Sequence, residues 1–268
     1  TKILERAGYE VRFADNGEIL FCWVHLPETR LADLEQASYQ AHVDLHALMR
    51  ARGFPHWLRA WNYLSRINEG EGDGERYRQF TAGRYRALAE VFAGTPQFDG
   101  LLPAATGVGT PGDTGLTIGF LAGRMPGIQV ENPRQVSAFR YPRHYGPRSP
   151  SFSRATLFHW SDRATLFVSG TASIVGHATL HPGDAAAQFE ETLCNLDALV
   201  NHAAREHAQG GFMPRSFKLY VRAPQHLDAL GTRWREALAT RAPTAVLLGD
   251  LCRADLLVEV EAVYERSP

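Results

Sequence analysis

PTAVLLGDLCRADLLVEVEAVYE, residues 243–265, contains two short apolar runs, Ala245 to Leu248 and Leu256 to Val260, rich in Val and Leu. Runs this short cannot build helices, so they predict two paired, buried strands. Strand alternation puts Val258 and Val260 on one face and Glu259 and Glu261 on the other. Glutamates in this pattern belong either to a solvated face or to a pocket wall. A carboxyl in a pocket is pushed towards its protonated form by desolvation and becomes a candidate general acid. Cys252 precedes Glu259 by seven residues, close enough across a tight connection for thiol and acid to share one pocket.

Outward from this stretch, 268 residues allow one large domain or two small ones, with ample length for a core. The formal net charge of -1 argues against recognition of nucleic acid or a membrane surface by bulk electrostatics. Cys22, Cys194 and Cys252 show no repeated spacing, which predicts no disulfide framework and a reducing, cytoplasmic setting. No apolar stretch approaches membrane-spanning length and no signal sequence is visible; the opening residue Thr1 suggests a preceding segment.

Glu10 to Phe13 and Ile19 to Val24 predict a hairpin about Ala14-Asp15-Asn16-Gly17. A helix over Leu31 to Arg52, a strand over His56 to Ile67, a helix over Gly74 to Phe92, a glycine-rich loop and a strand over Leu116 to Leu121 follow. The loop has no Lys-Ser/Thr and leads into a strand, so it fits neither phosphate-binding fingerprint. The second half repeats the order: hairpin 155–169, helix 184–207, strand 216–221, helix 224–238 and the closing strands. This predicts a duplicated α+β fold, two sheets each carrying helices on one face, with units at 1–130 and 131–268 and a cleft between them.

The connector ENPRQVSAFRYPRHYGPRSPSFSRA, residues 131–155, supplies Arg134, Arg140, Arg143, Arg148 and Arg154 together with Tyr141 and Tyr145. Guanidinium forks beside phenol donors suit a small dicarboxylic or phosphorylated ligand. Tyr77 and Arg84, seven residues apart in the second helix, form another such pair on one face. His177 and His181 lie in a strand-to-loop stretch where their spacing does not make a helical metal site, and no nucleophile signature is present.

AWNYLSRIN (60–68), ERYRQFTAGR (75–84), PAATGVG (103–109), FRYPRHYGPRSPSFSRA (139–155), SGTASIVGHATLHPGD (169–184), ETLCNL (191–196) and LCRADLLVEVEAV (251–263) together resemble the chorismatase family, over most of the chain. The resemblance implies a RidA/YjgF-like fold and a cofactor-free, metal-free enzyme that releases pyruvate from chorismate. It implies Glu259 as the acid that protonates the enolpyruvyl methylene. Tyr77, Arg84, Tyr141, Arg154 and Arg222 would surround the two substrate carboxylates. Gly170 and Cys252 look like the branch that forms 3-hydroxybenzoate, with 4-hydroxybenzoate as a further product; the other branch adds water and leaves a dihydroxycyclohexadiene carboxylate. The last segment is also similar to RidA-type imine deaminases, but Pro243-Thr244-Ala245 stands where those carry an arginine. A non-enzymatic carboxylate-binding protein on the same scaffold, and either a monomeric pseudo-trimer or a homo-oligomer, remain open at this level.

Overall fold

The computed structural model describes residues 2–6, 9–95, 98–207 and 211–266. Its first sheet is built from β1 (Lys2–Arg6), β2 (Tyr9–Asp15), β3 (Ile19–Leu26), β4 (His56–Ser65), β5 (Ala104–Thr110) and β6 (Leu116–Gly123), in the order β1-β2-β3-β6-β4-β5. The second uses β7 (Ile128–Val130), β8 (Ala155–His159), β9 (Ala164–Ala172), β12 (Met213–Val221), β13 (Thr244–Leu248) and β14 (Val258–Arg266), in the order β7-β8-β9-β14-β12-β13. Two short strands, β10 (Ile174–Val175) and β11 (Ala178–Thr179), pair with each other. The two six-stranded sheets share one connectivity. In each, only the outermost pair, β4 with β5 and β12 with β13, is parallel. The α+β duplication is therefore present in the strand order itself.

Each sheet is covered on one face by helices. α1 (Leu34–Ala51) and α2 (Arg76–Val91) cover the first, and α3 (Ala185–His207) and α4 (Pro224–Leu230) the second. α1 starts at Asp33, whose side chain accepts from Gln36 N at 2.9 Å, and it buries Leu34, Ala41, Leu45 and Leu48 along one stripe. α2 approaches α1 so closely at Gly83 that a Cβ there would lie 2.1 Å from the Glu35 carbonyl oxygen. That obstacle is helix backbone and cannot swing aside. Gly83→Ala is therefore expected to destabilise the fold by about 1–3 kcal/mol, read as a lower denaturant midpoint with an unchanged m-value.

The helix-free faces of the two sheets meet. Ile19, Leu58, Ala104, Phe158 and Phe167 pack at one end of the junction; Val108, Ala172, Ile174, Tyr220, Leu251 and Leu256 pack at the other. Between them along the strands lies a polar belt that includes Arg59, Thr106, Ser169 and Glu261, all buried. Two β-bulges shape it. In β9, Thr171 opposes Val260 and Val168 opposes Ala262, so Ser169 and Gly170 together face Glu261. In β4, Trp57 pairs with Ala122 and Arg59 with Leu121, leaving Leu58 as the extra residue. Bulges re-aim side chains, and here Leu58 and Arg59 both reach the junction whereas Trp57 and Ala60 join the helix-side core.

Several sequence expectations change. The runs at 245–248 and 256–260 are not paired, because β12 lies between β13 and β14. β13 runs parallel to β12 at the sheet edge and exposes Leu247 and Leu248, so its apolar run is not core. The glycine-rich segment is strand β5 over Ala104–Thr110, and only the turn after it is a loop. Its glycines lower strand propensity but admit close neighbours: a Cβ on Gly109 would lie 2.6 Å from Ile67 and 2.7 Å from Asp250. The helix expected at 224–238 breaks after Leu230 and resumes as a single π-helical turn at Arg235–Ala239. β7, just before the segment read as connector, pairs with β8 and so sits in the second sheet.

Candidate active site

A pocket of about 550 Å³ opens between the halves, lined by Tyr77, Tyr141, Arg154, Gly170, Cys252 and Glu259 among others. A small recess of about 30 Å³ continues from it past Tyr77, Gly170 and Glu259 to Arg84 and Thr106. The acid, thiol and glycine predicted from sequence thus share one cavity with both expected Arg-Tyr pairs. Each element contributes for a local reason. β14 alternates Val and Glu, so burying Val258 and Val260 under α3 turns Glu259 towards the junction. The i, i+7 spacing in α2 brings Tyr77 and Arg84 to the same wall.

Glu259 is 4 % exposed, and its Oε1 finds no hydrogen-bond partner among the described residues. Burial first, then the charge of Glu261, push its pKa up to about 8, with Arg59 acting in the opposite direction. Its carboxyl lies directly against Gly170, where a Cβ would come within 2.1 Å of Oε1. The Gly170 N–H donates to Thr106 Oγ1 of the other sheet at 3.1 Å, because the bulge releases it from the β14 ladder. Burial and the nearby Glu259 hold the Cys252 thiol up at about 12, so it stays protonated. Burial likewise raises the Tyr77 phenol, with Cys252 the next contribution.

Glu261, two residues on and 6 % exposed, is in the opposite condition. Trp61 Nε1 donates to its Oε1 at 2.8 Å and Tyr220 Oη to its Oε2 at 3.1 Å. Arg59 Nη2 lies 3.1 Å from Oε2 and Lys218 Nζ 2.8 Å from Oε1. Burial opposes its ionisation, but Arg59, Lys218 and the donors outweigh it and keep its pKa low.

Arg78 at the cavity wall pairs with Glu75, but Arg84, Arg154 and Arg253 form no ion pair among the described residues. Arg84, 5 % exposed, forms no ion pair among the described residues and leaves Nε unpartnered. Burial lowers its pKa, and Tyr77 acts against that. Arg154 Nη2 donates to Tyr141 Oη at 2.7 Å and to the Val136 carbonyl at 2.9 Å, but its Nε is also unpartnered. Arg253, next to the thiol, is absent from the residues expected from sequence. Its guanidinium lies 4.0 Å from the Tyr145 ring centroid and 5.0 Å from that of Tyr141, and Nη1 donates to the His177 carbonyl at 2.8 Å. Guanidinium charges held away from water without a counter-ion are costly unless a ligand supplies it. A ligand carrying two carboxylates would.

Other expected ligand arginines serve the scaffold. Arg222 is not in the cavity wall: it donates to Leu256 O, Asp250 Oδ1, Arg253 O and Leu251 O, tying down the 250–256 loop that carries Cys252. Arg134 binds Asn195 and Glu191, Arg143 binds Asp73, and Arg148 lies over Tyr85. Composition and spacing alone could not separate Arg134, Arg143 and Arg148 from Arg154, since all are basic connector residues. Arg59 was legible as a lone charge within the apolar run HWLRAWNYL, which marks either an edge or a buried pair. His177 sits at the mouth, its carbonyl accepting from Tyr145 Oη at 2.7 Å. Among the described residues no cluster of three or more His, Cys, Asp or Glu could hold a metal ion, and no helix is long and apolar enough to cross a membrane.

A duplicated α+β scaffold whose cleft holds a buried carboxyl of raised pKa beside guanidiniums without ion pairs is the kind of site that takes small, multiply anionic ligands. Residues 3–122 match the family model described as chorismatase FkbO/Hyg5-like, N-terminal. A 3-hydroxybenzoate synthase of Streptomyces hygroscopicus is 38% identical over 272 residues, 97% of this chain and 77% of that protein. A chorismatase of Streptomyces rapamycinicus is 39% identical over 263 residues, covering 94% of this chain and 76% of that protein. A crystal structure of a chorismatase superposes with a TM-score of 0.85 at 34% identity, covering 98% of this chain and 79% of that one. The chain belongs to the chorismatase family.

Proposed function

We propose that the cavity binds chorismate and converts it to pyruvate and 3-hydroxybenzoate, with Glu259 as the acid. The observation that carries this is Glu259 itself: a buried carboxyl with Oε1 unpartnered and its pKa held up at about 8, in a cavity with Arg84 and Arg154 that form no ion pair among the described residues. The 38% identity to a 3-hydroxybenzoate synthase supports this product, and the 39% identity to a chorismatase supports the substrate. In this reading Arg84 with Tyr77 receives one substrate carboxylate in the recess, and Arg154 with Tyr141 receives the other, Arg253 adding charge at the same wall.

The chemistry closes without cofactor or water. Glu259 gives its proton to the enolpyruvyl methylene carbon, whose π electrons form the new C–H bond and leave an oxocarbenium ion. The ring carbon–oxygen bond then breaks towards that oxygen, producing the pyruvate carbonyl. The oxygen of the neighbouring ring hydroxyl bonds to the carbon that pyruvate leaves, its bond to its original carbon then breaks towards it, and the newly hydroxylated carbon loses its hydrogen as a proton to the Glu259 carboxylate as the ring becomes aromatic. Positioned acids of matched pKa typically contribute ~100- to 10,000-fold. Water entering instead of the ring hydroxyl would yield the dihydroxycyclohexadiene carboxylate. Gly170 and Cys252, which border the acid, favour the aromatic product, with 4-hydroxybenzoate as a minor companion.

The test is incubation with chorismate, with pyruvate measured enzymatically and ring products resolved by chromatography across pH. Equal amounts of pyruvate and hydroxybenzoate are expected. Because the protonated form is the active one, kcat/KM should be constant below the pKa of free Glu259 and fall tenfold per pH unit above about 8. A dihydrodiol product would overturn the aromatic sub-type. No pyruvate above background, or a rate that rises through that pH, would overturn the acid mechanism.

A further inference from the structure

Two buried carboxyls stand on the same face of β14, yet one is ringed by donors and the other has none on Oε1. The asymmetry begins in the other sheet. Arg59, 2 % exposed, reaches the junction only because the bulge at Leu58 displaces it from the helix side. There its Nη2 contacts both Glu261 Oε2 and Thr106 Oγ1, while Nη1 donates to the Ala60 carbonyl at 2.9 Å. Thr106 Oγ1 in turn accepts the Gly170 N–H, and Gly170 is the surface on which the Glu259 carboxyl rests. Neither Arg59 nor Glu261 lines the cavity.

We infer that Arg59 is a positioning residue for Glu259: gripping Glu261 and Thr106 together, it keeps Glu261 ionised, anchors the bulge under Glu259, and so leaves the proton of the pair on Glu259. The inference rests on the acid role proposed for Glu259. Two carboxyls in one low-dielectric region do not both ionise readily, and the environment decides which keeps the proton. Around Glu259, β14 contributes Glu261, β4 Arg59 and β12 Tyr220. α2 contributes Tyr77 and Arg84, the 250–256 loop Cys252 and Arg253, and the connector Arg154. The phenols and the thiol stay neutral, and Arg84, Arg154 and Arg253 have no ion-pair partner among the described residues. Glu261 is therefore the anion that holds the proton on Glu259, and Arg59 the cation that keeps Glu261 an anion.

The pH dependence of pyruvate release, paired with a 13C NMR titration of the Glu259 carboxyl, separates this role from plain packing. Glu261→Gln removes the neighbouring anion and leaves Arg59 and Lys218 acting on Glu259, so the alkaline limb of kcat/KM and the carboxyl titration should both move to lower pH by ~1–3 units. Glu261→Asp, which keeps the charge, should leave both near the wild-type position. The double variant Arg59→Gln with Glu261→Gln, neutral at both positions, should return the limb most of the way. A packing role alone would lower the rate at every pH, compound the loss in the double variant and leave the limb in place. A wild-type limb in Glu261→Gln, alongside an inactive Glu259→Gln, would overturn the role of Arg59 alone. Undiminished turnover in Glu259→Gln would overturn the acid reading and this inference with it.

Discussion

Glu259→Gln is expected to lower kcat for pyruvate release by ~100- to 10,000-fold while chorismate still binds. The substitution is isosteric and Oε1 has no partner to lose, so the cavity keeps its shape. What disappears is a buried cavity proton that is both present at neutral pH and available near it. Cys252, held up at about 12, and Tyr77, raised further, keep their protons too tightly to substitute. Calorimetric titration of the variant with chorismate checks binding, and single-turnover assays check chemistry. Wild-type turnover would mean that another donor protonates the methylene.

Gly170→Val should abolish most turnover with little loss of stability. Any Cβ at this position lies 2.1 Å from Glu259 Oε1 and 2.6 Å from its Cδ, so the carboxyl must leave its place. It is the far end of a flexible side chain, and it can swing into the adjoining cavity without disturbing the sheets. A displacement of about 1 Å in a reacting group is enough to cost ~100-fold in rate. Gly83→Ala is the instructive contrast, since the same close approach of 2.1 Å there is to helix backbone and the cost falls on stability. Thermal melts alongside pyruvate assays separate the two cases. An active Gly170→Val enzyme would place the working position of Glu259 elsewhere.

Much of the architecture was legible because burial periodicity is written locally. The hairpin of β2 and β3, helices α1 to α3, and strands β8, β9 and β14 all follow from alternation, caps and turn residues. β5 was not, because its glycines lower strand propensity and their reason, contact with Ile67 and Asp250, lies elsewhere in the chain. The edge position of β13 was hidden for a related cause: an apolar run reads the same whether its neighbour is β14 or β12, and only pairing distinguishes them.

The site divides in the same way. Sequence by itself determined that Glu259 and Glu261 share a face opposite Val258 and Val260, that Tyr77 and Arg84 share a helix wall, and that the chain's motifs are those of chorismatases. These follow from strand and helix periods and from residue identity, which need no partner. Only the tertiary structure decided which carboxyl is left without a partner on Oε1 in the cavity and which is ringed by donors. Glu259 and Glu261 are chemically identical in sequence, and they differ because Arg59, about 200 residues upstream, is turned by a bulge onto Glu261 and not onto Glu259. Likewise, Arg154 faces the cavity while Arg222 and Arg134 hold loops, since a guanidinium's task is set by which oxygens surround it after folding. Local periods fix faces; charge balance in a buried site depends on contacts between distant strands, and those exist only once the two sheets have met.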